Sequence, residues 1–86
     1  MRDYLYSYTL CPDNSPSAFR AACEKIERTM SHLAKQPLLT DVDGSTIQTY
    51  EGADGRRIAV YDDYDVGAVY VLSDFDPKQA LGTSLQ

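Results

Sequence analysis

At 86 residues and 9.6 kDa the chain can form one two-layer core and no second one, since a domain of this size buries roughly 60% of its unfolded surface. Its 43% hydrophobic and 24% charged residues exclude a disordered chain. A net charge of −5 argues against nucleic acid or an anionic membrane as a direct partner, and no apolar run approaches the roughly 18 residues of a membrane-crossing helix.

The opening residues, Met1-Arg2-Asp3-Tyr4, show no apolar leader, so the expected compartment is the cytoplasm of a bacterium or of a phage host. Tyr4 to Leu10 then alternates with period two and is rich in strand formers, which predicts a first strand with Tyr4, Tyr6, Tyr8 and Leu10 on one face. The tyrosine face is expected to meet the core, because Leu5 is the only sizeable apolar residue on the opposite face. After the loop Cys11-Pro12-Asp13-Asn14, Ser15 offers an N-cap hydroxyl. Pro16 then suits the first helical position, where its missing N–H costs nothing.

From Pro16 the apolar positions Phe19, Cys23, Ile26, Met30 and Leu33, with Ala22 and Ala34, recur at helical steps on one stripe. The polar side carries Arg20, Glu24, Lys25, Glu27, Arg28, Ser31 and Lys35, and Glu24 with Arg28 forms a favourable i,i+4 pair. Lys35 and Pro37 mark the stop, which predicts about five turns. Four strands are then predicted: Leu38 to Val42, Thr46 to Glu51, Arg57 to Asp62 and Ala68 to Ser73. Asp43-Gly44, Gly52-Ala53-Asp54-Gly55 and Asp63-Tyr64-Asp65-Val66-Gly67 separate them. Asp-Gly predicts a tight hairpin with both turn residues at positive φ. Residues 1–76 read as one α+β domain: an amphipathic helix on one face of an antiparallel sheet of four to five strands, in the order β-α-β-β-β-β. Residues 77–86 read as a fraying tail, with one possible helical turn from Lys78 to Leu81.

Catalytic equipment is sparse. Cys11 and Cys23 lack C-x-x-C spacing and are expected to be free thiols, with Cys23 on the inner face of the helix. His32, the only histidine, is expected near the helix C-terminus as a polar boundary residue. Two cysteines and one histidine fall short of a zinc site, and Asp41-Val42-Asp43-Gly44 lacks the ligand spacing of a calcium loop. Asp62, Asp63 and Asp65 could hold Mg²⁺ only weakly, and no phosphate loop, nucleophile elbow or dinucleotide fingerprint is present. Neither enzymatic activity nor a cofactor is expected.

What stands out is the charge map. Between residues 41 and 76 there are nine acidic residues and two basic ones, whereas residues 1–40 carry four acidic and five basic. Alternate turns of a meander share one end of the sheet, so Asp41, Asp43, Asp62, Asp63 and Asp65 are expected to gather there beside Tyr61 and Tyr64. Asp74 and Asp76 should lie at the opposite end. Acidic residues are common in turns and aid solubility. Carboxylates interleaved with tyrosines also suit contact with a cationic protein, because Tyr gives rigid amphipathic area and charge steers encounter.

The function expected from this pattern is a small acidic inhibitor that occludes a basic partner, either a nuclease-type toxin or another nucleic-acid-handling enzyme. That is the character of bacterial toxin-immunity proteins. Two alternatives use the same features differently: a phage-encoded anti-defence inhibitor (anti-CRISPR or anti-restriction) that mimics nucleic acid, or a regulatory adaptor that binds a peptide by strand addition.

Overall fold

The computed structural model describes residues 4–76. The expected tail at 77–86 lies outside the described residues. The elements run β1 (Tyr6–Cys11), α1 (Pro16–Thr29), β2 (Ala34–Lys35), β3 (Leu39–Thr40), β4 (Thr46–Glu51), β5 (Arg57–Asp63) and β6 (Ala68–Ser73). One helix packs on one face of an antiparallel sheet, as the periodicity predicts, but six strands form the sheet rather than four or five. The sheet order is β1-β6-β5-β4-β2, and β3 pairs with the other end of the same β4 edge. The chain between β1 and β2 therefore crosses the full width of the sheet, and α1 is that crossover.

The helix starts as its cap residues dictate. Ser15 is extended, its Oγ accepts from the Ala18 N–H at 3.1 Å, and Pro16 follows at the first helical position. It ends earlier than the periodicity predicts, after about four turns rather than five. The Thr29 hydroxyl turns back on the Lys25 carbonyl at 2.7 Å, a contact that weakens helix continuation, and Met30 leaves the helical region at φ −127°, ψ 53°. The end of the stretch that could have prolonged it pairs with β4 instead. Ala34 and Lys35 pair with Glu51 and Tyr50, and the Gln36 N–H donates to the Thr49 carbonyl at 2.9 Å. Leu33, Ala34, Lys35 and His32 are thus not helical, and His32 is an exposed residue of the connecting turn.

Register decides which side chains meet the helix. Ile58 opposes Ser73, Val60 opposes Val71 and Asp62 opposes Val69, so these residues share the helix-facing side of β5 and β6. Gln48 and Tyr50 of β4 join them opposite Val60 and Ile58. The core unites Ile58, Val60, Val69, Val71 and Tyr50 with Ala22, Cys23, Ile26 and Met30 from the helix stripe. Tyr6 and Tyr8 share this face, opposite Ser73 and Val71, as the core reading of the tyrosine ladder requires. Only Tyr8 and Leu10 pack against the core; Tyr6 remains 42% exposed because β1 is an edge strand beyond the helix. A register shift between Thr9 and Cys11 places Cys11 opposite Val69. Both cysteines are free, and burial pushes the Cys23 thiol above its ordinary pKa.

The Asp-Gly turns are built differently from the tight hairpins expected. No residue other than glycine has positive φ among the described residues, so Asp43 and Asp54 do not adopt the mirror-image turn. In both of them a four-residue turn ends on a glycine in the left-handed region. Gly44 (φ 92°) donates to the Asp41 carbonyl, and Gly55 (φ 87°) donates to the Gly52 carbonyl, both at 3.0 Å.

Ile26 is fully buried at the centre of the helix stripe. Ile26→Ala is expected to lower unfolding free energy by about 3 kcal/mol in urea denaturation, and Leu5→Ala, at an exposed position, by less than about 0.5 kcal/mol. Equal losses for the two variants would contradict this assignment of the core.

Candidate functional site

Two turns meet at one end of the sheet. Residues 41–45 connect β3 to β4, and the turn at 63–67 leads from the last residue of β5 into β6. They are joined by the Tyr64 N–H, which donates to the Ser45 hydroxyl at 2.8 Å. The Tyr64 ring lies against Gly44, 3.4 Å from the point a Cβ would occupy there. A substitution at Gly44 would therefore meet both positive φ and this ring. Asn14, from the loop between β1 and α1, reaches the same end. Its side-chain amide donates to Asp62 Oδ1 at 2.9 Å and to the Asp63 carbonyl at 3.0 Å.

The seven residues singled out from the sequence divide by environment. Asp41, Asp43 and Asp65 are exposed, and Tyr64 is about half exposed. Asp41 Oδ1 accepts from the Val42 N–H at 2.7 Å and Asp43 Oδ1 from the Ser45 N–H at 2.9 Å, so both carboxylates also shape their own turn. Asp63 Oδ1 accepts from the Asp65 and Val66 N–H groups at 2.9 and 3.2 Å, and its Oδ2 accepts from the Tyr70 hydroxyl at 2.6 Å. The Tyr70 hydroxyl, assisted by the two turn amides, holds the Asp63 carboxyl below its ordinary pKa. Burial and this carboxylate together push the Tyr70 phenol upward.

Asp62 and Tyr61 leave the group. Alternation along β5 sends Asp62 to the helix side, where it is only 3% exposed and bound to Asn14. Tyr61 lies on the opposite face and stacks on Tyr70, with ring centroids 5.1 Å apart and planes 7° from parallel. Asp74 lies at the far end of the sheet, where its Oδ2 accepts from the Arg57 N–H at 2.9 Å. Asp54 there is paired with Arg56 at 2.7 Å. Among the described residues no three His, Cys, Asp or Glu side chains gather as metal ligands would.

Sequence reasoning missed the apolar part of this end. Val42 is fully exposed in the first turn and Val66 is 65% exposed in the second, with exposed Leu38 and Leu39 leading into the first. Together with Tyr64 they make up five of the seven large hydrophobic residues exposed among the described ones. The signal was present: turns favour Gly, Pro, Asn, Asp and Ser, so a valine inside Asp41-Val42-Asp43 or Asp65-Val66-Gly67 is out of place on turn chemistry alone. Surface valines placed singly need no explanation, but here two of them alternate with carboxylates in adjoining turns.

No helix among the described residues is long and apolar enough to cross a membrane. Comparison with family models, curated proteins and solved structures finds no match to this chain.

The Asp63–Tyr70 bond gives a pH test. A carboxyl held below its unfolded pKa contributes stability above that unfolded value, about 3.9, and the contribution is lost as pH falls through the folded value. Asp63→Asn keeps an oxygen for the turn amides and removes the acceptor for Tyr70. It is expected to lower stability by about 1–2 kcal/mol at pH 7, with the gap to wild type closing as pH falls from about 5 towards 3. Urea midpoints across that range check it, and a gap independent of pH would remove the ionic part of the account.

Proposed function

We propose that this protein is a small inhibitory binding protein, without catalysis of its own, that acts in the cytoplasm as the immunity partner of a nuclease-type bacterial toxin. It would seat the paired turns at 41–45 and 63–67 on the cationic surface where the partner holds phosphate. The observation that carries the reading is the Tyr64–Ser45 bond, because it brings both acidic turns and their exposed valines into one surface. Asp41, Asp43 and Asp65 supply charge for steering and pairing, and Val42, Tyr64 and Val66 supply apolar area, the combination that gives both fast encounter and a dry contact centre. Asp63 acts as a brace for the second turn and Asp62 lies behind the surface. A phage-encoded inhibitor of host defence would present the same surface to a different basic protein, and gene context separates the two. The adaptor reading draws on β1, which among the described residues pairs on one side only, with β6; on that reading the charges of the turns are irrelevant.

The test is isothermal titration calorimetry against the purified product of the adjacent gene. Asparagine at positions 41 and 43 preserves the turn-capping oxygens and at 65 keeps the side chain's shape, so Asp41→Asn/Asp43→Asn/Asp65→Asn isolates charge. Three lost charge pairs are expected to weaken binding on the order of 100-fold at low salt, while Asp54→Asn at the far end changes it less than about twofold. Absence of binding by the wild type, or wild-type affinity in the triple variant, would sink the proposal.

A further inference from the structure

Behind the acidic turns lies a cleft of about 490 Å³ between α1 and the β4 side of the sheet. Its floor is formed by Thr46, Gln48 and Asp62, which share the helix-facing side of β4 and β5, with Thr46 directly opposite Asp62 and Gln48 diagonal to it. Phe19 of α1 lines one wall, and Leu38 and Tyr64 line the other. The volume is that of a small-ligand or side-chain pocket, with mostly apolar walls and a few converging polar groups.

Two acceptors on the floor are uncommitted. Asp62 is 97% buried, yet only its Oδ1 is engaged, by Asn14; Oδ2 accepts no hydrogen bond among the described residues. Gln48 is equally buried, and its amide nitrogen donates to the Gln36 and Thr49 carbonyls, which fixes its orientation and leaves Oε1 without a donor. Neither oxygen is sealed inside the protein. Arg57 Nε is the one wholly enclosed side-chain polar atom without a partner among the described residues, so both oxygens keep accessible surface, and both residues line the cleft. A buried carboxylate and amide oxygen left in this state are costly unless a donor reaches them. At the rim, Arg20 and Lys35 balance Glu24 and Glu27, and Lys35 is already paired with Glu27 at 3.1 Å. The floor therefore sets the sign of the site, and the sign is negative.

The geometry points to an arginine side chain of the basic partner as the occupant of this cleft, with its guanidinium between Asp62 Oδ2 and Gln48 Oε1 and its plane against Phe19 and Tyr64. This rests on the proposed binding of a basic protein at the adjoining turns, with which the cleft shares Tyr64 and Gly44. Diagonal positions on neighbouring strands lie about 7–8 Å apart, a span that a planar fork of five N–H donors can bridge. An ammonium is a point charge and would satisfy only one of the two acceptors at a time. Aromatic and aliphatic walls suit the weakly hydrated face of a guanidinium.

The experiment is an amide NMR titration of the isolated protein with N-acetyl-arginine methylamide, alongside the lysine and citrulline analogues as separate probes. Cross-peaks of Phe19, Thr46, Gln48 and Asp62 are expected to shift and saturate with arginine in the millimolar range. The lysine analogue should bind at least fivefold more weakly, and neutral citrulline should leave these peaks in place. Asp62→Asn, which retains the Asn14 acceptor, should weaken arginine binding at least tenfold with an otherwise native spectrum; the citrulline comparison needs no variant. Equal response to citrulline, no response at 50 mM arginine analogue, or shifts confined to residues 41–43 and 65 overturns the inference. The Asp41→Asn/Asp43→Asn/Asp65→Asn variant should bind the arginine probe within twofold of wild type. Cleft binding can therefore fail while docking of the basic protein at the turns stands, and the reverse.

Discussion

A single helix has to cover one face of a sheet five strands wide. Strand axes lie about 4.8 Å apart, so β1 and β2 are roughly 19 Å from one another, while a helix with its side chains is about 10 Å across. Helix α1 settles over the middle of the sheet, where Ile58, Val60, Val69 and Val71 present β-branched and aliphatic surface to Cys23, Ile26 and Met30. The rest of the architecture follows from that shortfall in width. On the β1 side Tyr6 is left half in water, and on the β4 side the floor formed by Thr46, Gln48 and Asp62 becomes a cleft instead of a sealed core.

Partial coverage also explains which polar groups are buried. A carboxylate on the helix-facing side of β5 would be costly under a close-packed helix, and Asp62 is tolerated because Asn14 supplies one donor and the cleft leaves the other oxygen accessible. Tyr50 meets the same problem differently. Its ring is buried in the core, and its hydroxyl donates to Glu27 Oε2 at 2.6 Å at the helix edge, which holds the Glu27 carboxyl below its ordinary pKa. The polar groups that penetrate the core are thus drawn to its margins, where a partner or solvent can be reached.

The acidic end of the sheet carries two demands at once. Asp41, Asp43 and Asp63 accept turn amides and would be useful there in any protein of this shape, so carboxylate count alone is weak evidence of a binding surface. The apolar residues between them carry more weight, because Val42 and Val66 contribute nothing to turn geometry and lose nothing by being polar. Their co-location with Tyr64 through the Ser45 bond is a feature that solubility does not require.

Local chemistry alone determined much of the protein: the Ser15-Pro16 helix start, the amphipathic stripe, the strand identity of β4, β5 and β6, and the meeting of alternate turns at one end. Each follows from nearest-neighbour rules, namely cap hydroxyls, 3.6- and 2-residue periods and the antiparallel reversal of a meander. Tertiary pairing decided the rest. Residues 31–35 carry a helical pattern, yet β4 offered Ala34, Lys35 and Gln36 a ladder of backbone hydrogen bonds that a last helical turn could not match. Whether Asp62 or Asp63 would face outward depended on the register of β5 against the helix. A one-residue slip would have exchanged them, and no property of an aspartate in the linear chain records which face it will occupy.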